Sequence, residues 1–83
     1  MANLVKHGYD FADAHLVYDN ANKLTLESNR GGERRNLAIA LVEVKDKVLS
    51  LVYVERGEDI RVISFRKGLR KERVAYEQHR EQD

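Results

Sequence analysis

Hydrophobic and polar positions along the chain predict four strands. Residues 24–27 alternate between leucine and polar side chains, as in a half-buried edge strand, and residues 28–32 are predicted to form a loop. Residues 36–44 are nearly all aliphatic, and residues 48–54 are apolar on both faces, which is typical of a strand at the centre of a sheet. Gly57, Glu58 and Asp59 predict a tight hairpin turn, which a fourth apolar run over residues 60–67 follows. Because the connections are short, consecutive strands are expected to pair antiparallel, as a meander.

Within the second strand, large and small side chains segregate to opposite faces. Leu37, Ile39 and Leu41 lie on one face, and alanines alternate with them on the other. The large residues predict the core side, and the small ones predict a side that a helix or a ligand approaches closely.

Helical signals precede the strands. Residues 2–6 are predicted to form one short turn, with Gly8 at a position where left-handed caps are common. Asp10 can accept hydrogen bonds from the free amides of a helix over residues 11–18, where the apolar positions follow helical spacing. The chain therefore begins with two short predicted helices.

A further helix is predicted after the last strand, over residues 69–81, which are rich in good helix formers. Its apolar stripe is thin, consisting of Leu69, Val74 and Tyr76, so most of this helix is expected to be solvated. The predicted fold class is α+β, with two short N-terminal helices, a four-stranded antiparallel meander sheet and a C-terminal helix.

The composition restricts the chain to one small domain, residues 1–83. It is 42% hydrophobic and 35% charged, enough for one core and too apolar for a disordered chain. Without cysteine it has no disulfide or thiolate–metal scaffold, which favours a reducing, cytoplasmic location. No apolar run approaches the roughly 20 residues that cross a bilayer, so membrane insertion is not predicted.

The net charge of +1 hides a segregation of the two signs. The bases between positions 61 and 73 are Arg61, Arg66, Lys67, Arg70, Lys71 and Arg73. The only acid among them is Glu72. This segment is expected to attract phosphates, RNA above all, or an acidic protein. Alternatively, it is a solvated helix face with internal ion pairs such as Arg73 with Glu77.

Two short motifs could carry acid–base chemistry. Glu33 precedes Arg34 and Arg35 at a junction between a loop and a strand, where a carboxylate could take a proton while guanidinium groups hold a phosphate. His7, next to Lys6, titrates near neutrality and could act as acid or base. Each motif also has a structural interpretation. Glu33 could simply compensate charge in a loop, and His7 could cap the first helical turn. The three histidines lack ligand-like spacing, so no metal is predicted.

Three blocks together resemble the BrnT family of bacterial ribonuclease toxins. They are N-x-x-K-H-G-x-x-F-x-x-A over residues 3–14, G-E-x-R over residues 32–35, and residues 52–67 followed by the E-R-x-x-Y pattern of Glu72, Arg73 and Tyr76. The resemblance implies a RelE-like fold, RNA cleavage without metal or other cofactor that blocks translation, and neutralisation in a hetero-oligomer by an antitoxin called BrnA. The family's usual N-terminal strand is predicted to be missing, which would expose a sheet edge.

The leading hypothesis is therefore an endoribonuclease toxin. Its predicted catalytic residues are His7, Glu33, Arg35, Arg66 and Lys67. Its predicted RNA-binding residues are Lys6, Arg34, Arg61, Arg70, Lys71, Arg73 and Tyr76. Which of His7 and Glu33 is the general base stays open. The alternative is a catalytically inactive module of the same fold that binds RNA or an antitoxin. DNA binding is less favoured, since no helix-turn-helix pattern is present.

Overall fold

The computed structural model describes residues 9–30 and 32–81. Four strands form one sheet: β1 is Leu24–Arg30, β2 is Glu33–Val42, β3 is Lys47–Arg56 and β4 is Asp59–Lys67. Their order in the sheet follows the chain, and all neighbouring pairs are antiparallel. The predicted meander is confirmed, with β1 at an edge and β3 in the interior of the sheet.

The described chain contains one N-terminal helical segment, a 3₁₀ turn at Phe11–Asp13 followed by helix α1, His15–Tyr18. Asp10 caps it, since its Oδ1 accepts from the amide of Ala12 at 2.9 Å. Of the two predicted N-terminal helices, the one over residues 11–18 is confirmed by this segment. Just before it the Tyr9 amide donates to the carbonyl of Phe65 at 2.9 Å, so the chain there meets the β4 edge. The turn predicted at 2–6 lies outside the described residues.

One sheet face, which we call the helical face, packs against α1. Its buried residues include Ala38 and Ala40 of β2, Leu49 and Leu51 of β3, and Phe65 of β4. Val17 of α1 joins the same apolar cluster, and α1 contacts β2 and β3. The alanines leave room for the helix, as their small size predicted.

The opposite face, which we call the groove face, carries Arg35, Leu37 and Ile39 of β2, Ser50 and Val52 of β3, and Arg66 of β4. Helix α2, Arg70–Glu81, covers one end of it, where Glu72 accepts from the hydroxyl of Ser50. Ile39 and Ser50 are fully buried, whereas Leu37 and Val52 are half-buried. The face with the larger β2 residues is thus the less covered one, contrary to the prediction, because α2 spans only part of it.

The first hairpin is longer than predicted. Residues 28–32 were expected to form a loop, but β1 continues to Arg30 and β2 begins at Glu33. Ser28 pairs with Arg35 and Asn29 with Arg34. These polar residues pair through their backbones, so their side chains give no hydrophobic pattern that reveals a strand. The extension matters because it places Glu33, Arg34 and Arg35 on a strand with alternating faces.

The second tight hairpin, between β3 and β4, depends on Gly57. Arg56 pairs with Asp59, so the turn has two residues, and Gly57 takes a φ of 60°. A side chain at this left-handed position is strained.

We expect Gly57→Ala to lower the free energy of unfolding by about 1 kcal/mol and the melting temperature by about 4–8 °C. Thermal unfolding followed by circular dichroism measures this, and equal melting of Gly57→Ala and the exposed neighbour variant Glu58→Ala contradicts it.

Candidate active site

Arg35 and Arg66 line the same open pocket, of about 360 Å³, on the groove face. Leu37 and Val52 line it as well, and Ser28 of the edge strand contributes from one side. The two arginines come from β2 and β4, with β3 between them. Because both strands are fixed by backbone pairing, the sheet itself brings the two cations to one surface.

Strand alternation separates two predicted site residues from this pocket. Arg34 neighbours Arg35 in the chain but belongs to the helical face, where it lines a different pocket with Asn36 and Glu55. Lys67 pairs with Leu49 and therefore shares the helical face with Phe65, opposite to Arg66. Each arginine of the pocket thus has a basic neighbour that points to the other side of the sheet.

Three more charged residues lie on the groove face near the end of the sheet that holds the β1–β2 and β3–β4 turns. Arg61 is exposed and pairs with Val54, beyond a register shift between Val52 and Tyr53. Glu33 accepts from Nε of Arg35 at 3.3 Å, and its other carboxylate oxygen lies 3.9 Å from Nη2 of Arg56. Glu33 is 38% exposed and Arg35 37% exposed. A pair this open to water adds little stability and separates easily.

Arg66 is held much more firmly, by Glu72 of α2. Its Nη1 donates to Oε1 of Glu72 at 2.7 Å, and its Nη2 donates to Oε2 at 3.0 Å. The side chain of Arg66 is 29% exposed and that of Glu72 is 7% exposed. Such a two-point contact fixes the guanidinium plane as well as its position. The bond to the carboxylate also raises the pKa of Arg66, so it stays charged.

Glu72 is anchored by two further hydrogen bonds. Its Oε1 accepts from the hydroxyl of Ser50 at 2.9 Å and from the amide of Leu69 at 2.7 Å. Burial acts to raise the pKa of Glu72, but its bonds from Arg66, Leu69 and Ser50 outweigh this effect and lower the pKa to about 2. The bond from Leu69, three residues earlier, also satisfies a free amide at the start of α2.

The remaining predicted residues of α2 have different environments. Arg70 and Lys71 are exposed in its first turn, while Nη1 of Arg73 donates to the carbonyl of Gly68 at 3.3 Å. The predicted pair of Arg73 with Glu77 is replaced, since Glu77 pairs with Arg80 at 3.7 Å.

Tyr76 was predicted to contact RNA, but it lies in the core. It is 3% exposed, so almost none of its ring is available to stack on a base. The expected stripe also differs, because Leu69 and Val74 are each 49% exposed and the buried residues of α2 are Glu72 and Tyr76. Helix α2 therefore packs through the ring of Tyr76 and the carboxylate of Glu72. Lys6 and His7 lie outside the described residues.

Sequence reasoning missed Glu72, Ser50 and Arg56 as site residues. One signal for Glu72 was present: it is the only acid in the basic segment from 61 to 73. A lone carboxylate among cations is expected to pair with one of them. Ser50 and Arg56 gave no comparable signal, because each acquires its role only through its strand partners.

Within residues 9–30 and 32–81, no group of three or more His, Cys, Asp or Glu side chains is arranged to hold a metal ion. Over the same part of the chain, no helix has the length and apolar character needed to span a bilayer.

Comparison with known proteins identifies the family. Residues 1–72 match the model of a family described as "Ribonuclease toxin, BrnT, of type II toxin-antitoxin system". No curated protein and no solved structure matches the chain. The RelE-like relationship therefore stays a prediction. The family match covers the sheet, both pocket arginines and Glu72. The chain belongs to the BrnT family of ribonuclease toxins of type II toxin–antitoxin systems.

Proposed function

We propose that this chain is an endoribonuclease that cleaves RNA without a metal ion. The main support is that Arg35 and Arg66 line one open pocket of the groove face. Two guanidinium groups at one pocket suit a phosphodiester, whose negative charge grows as a nucleophile adds to phosphorus. Membership of a ribonuclease family points to the same chemistry.

The proposed reaction uses the 2′-hydroxyl of the RNA as nucleophile. Its oxygen attacks the adjacent phosphorus, the bond from phosphorus to the 5′-oxygen breaks, and a 2′,3′-cyclic phosphate and a 5′-hydroxyl result. The proton of the 2′-hydroxyl passes to a base of the protein, and a proton is delivered to the departing 5′-oxygen. Because the nucleophile belongs to the substrate, no metal-bound hydroxide has to be generated.

The groove face supplies placement and charge for this reaction. Arg35 and Arg66 stabilise the pentacovalent phosphate, and the exposed Arg56 and Arg61 bind neighbouring phosphates of the strand. Glu33, next to Arg35, is one candidate for the base. His7 is the other candidate, from outside the described residues. Arg34 and Lys67 are left out of the proposed pocket because they face the other side of the sheet.

A protein partner is proposed on the same grounds. Type II toxin families pair with a protein antitoxin, and the cationic groove face would attract an acidic segment of such a partner. We propose a BrnA-like antitoxin that forms a hetero-oligomer with this chain. Released from it, the chain would cut cytoplasmic RNA and so inhibit translation.

The sharpest test compares two adjacent arginines. In EDTA, the purified chain is expected to cleave single-stranded RNA into fragments with 2′,3′-cyclic phosphate ends. Arg35→Ala is expected to lower the cleavage rate about 100-fold, because it removes a charge donor at the phosphate. Arg34→Ala removes the same charge from the opposite face and is expected to lower the rate less than about threefold. Gel analysis of end-labelled RNA measures both.

Three outcomes would count against the proposal. Intact RNA at high concentrations of folded wild-type chain, with binding retained, indicates the inactive binding module instead. Cleavage that needs a divalent ion rejects the metal-independent reaction. Equal losses in Arg34→Ala and Arg35→Ala show that the two arginines act only through total charge, not through the pocket.

A further inference from the structure

Arg66 contacts Glu72 through one edge of its guanidinium group only. A guanidinium has two edges that can each donate two parallel hydrogen bonds: one formed by Nη1 and Nη2, the other by Nη2 and Nε. Glu72 takes the first edge, at 2.7 and 3.0 Å. A longer contact, 3.5 Å, joins Nη1 to the carbonyl of Lys67.

The second edge, formed by Nε and the remaining hydrogen of Nη2, is free within the described chain. Among residues 9–30 and 32–81, no acceptor bonds to Nε of Arg66. The side chain is 29% exposed and lines the pocket that Arg35 also lines. A phosphate with two oxygens matches a free edge of this kind.

Glu72 is fixed independently of Arg66. Ser50, fully buried on β3, and the amide of Leu69 both donate to Oε1 of Glu72. The carboxylate is therefore tied to the sheet and to the start of α2, and it is well placed to orient the arginine. Arg35 differs, because its partner Glu33 is partly exposed and bonds at 3.3 Å.

We infer that Glu72 is a positioning residue of the nuclease: it holds one edge of Arg66 so that the other edge is presented to the phosphate in the groove. The inference rests on the proposed function, since it concerns the same pocket. It assigns Glu72 no contact with RNA. Its effect is expected on the chemical step, because a fixed guanidinium stabilises the charge that develops on the phosphate.

The test compares kcat and KM of three variants on a single-stranded RNA in EDTA at 25 °C. Glu72→Gln keeps the size of the side chain but removes its charge, and it is expected to lower kcat about 100-fold with KM changed less than about threefold. Val17→Ala, a buried change under the helical face, controls for lost stability. It is expected to leave kcat within about threefold while it remains folded.

Arg66→Lys decides the question if Glu72→Gln does not fold. A lysine keeps a cation beside Glu72, so the buried charge stays compensated, but it has no second edge to offer. We expect kcat of Arg66→Lys to fall about 100-fold in a folded protein.

The outcomes separate the two proposals. An active wild type with Glu72→Gln or Arg66→Lys within about threefold of its kcat overturns the positioning role and leaves the nuclease proposal intact. The positioning role is also overturned if Val17→Ala, with a melting temperature equal to that of Glu72→Gln, loses as much kcat as Glu72→Gln does. A folded wild type that cleaves no RNA overturns the nuclease, and the positioning role with it.

Discussion

Arg66→Met is expected to lower the free energy of unfolding by about 3–5 kcal/mol at pH 7. The substitution keeps much of the side-chain volume but leaves the buried carboxylate of Glu72 without its cation. The two bonds from Ser50 and Leu69 remain, but neither donor carries a charge. Urea unfolding monitored by circular dichroism measures the loss.

A double variant tests whether the loss comes from the orphaned charge. With Arg66→Met and Glu72→Gln together, no buried ion remains, so the double variant is expected to be more stable than Arg66→Met alone by about 1–2 kcal/mol. If Arg66→Met costs less than about 1 kcal/mol, or if the second substitution adds to the damage, the pair is not the buried, coupled unit described above.

This result bears on how activity in cells is interpreted. If expression of the chain arrests growth, relief of that arrest by Arg66→Ala would not separate lost catalysis from unfolding, because the substitution removes a stabilising ion pair as well as a proposed phosphate ligand. Arg35 is the better probe. Its contact with Glu33 is long and exposed, so its removal is expected to change stability by less than about 1 kcal/mol.

The strands could be predicted from the sequence wherever they are buried. Alternation or continuous apolar character located all four strands, and Gly57 marked the turn between β3 and β4. The ends of β1 and β2 could not be placed in the same way, because Ser28, Asn29 and Glu33 pair through backbone atoms alone. Backbone pairing leaves no trace in hydropathy.

That small error of boundary had a large effect on the predicted site. With Arg34 and Arg35 assigned to the end of a loop, both were counted as one cationic cluster. On a strand that begins at Glu33, consecutive side chains must alternate, so only one of the two can reach the groove. The same rule separates Arg66 from Lys67. Charge counted along the chain therefore overstated the charge at the pocket.

The buried residues of α2 also could not be predicted from hydropathy. Leu69 and Val74 looked like its contact residues and are half-exposed, while the charged Glu72 is buried. The carboxylate can be buried because Arg66, Ser50 and the amide of Leu69 together replace its lost water. That set of partners exists only in the folded chain.

The acid stability of the protein is expected to depend strongly on Glu72. The pKa of its carboxyl is about 2 in the folded chain, against an ordinary value of 4.5. Between these values the unfolded chain binds a proton that the folded chain does not, so stability falls as the pH falls. At about 1.4 kcal/mol per pKa unit, the stabilisation is about 3 kcal/mol. It is complete above about pH 5 and is lost progressively as the pH falls toward 2.

Comparing wild type with Glu72→Gln isolates the stabilisation by Glu72, because the other acidic residues titrate in both of these proteins. The free energy of unfolding is measured in urea at pH 7, 5, 4 and 3 for wild type, Glu72→Gln and the exposed control Glu58→Gln. The advantage of wild type over Glu72→Gln is expected to be constant from pH 7 to 5 and to shrink below that. Glu58→Gln should follow wild type throughout. Parallel curves for wild type and Glu72→Gln down to pH 3 would mean that the folded carboxyl titrates at its ordinary pKa, and that Arg66 is not held as proposed.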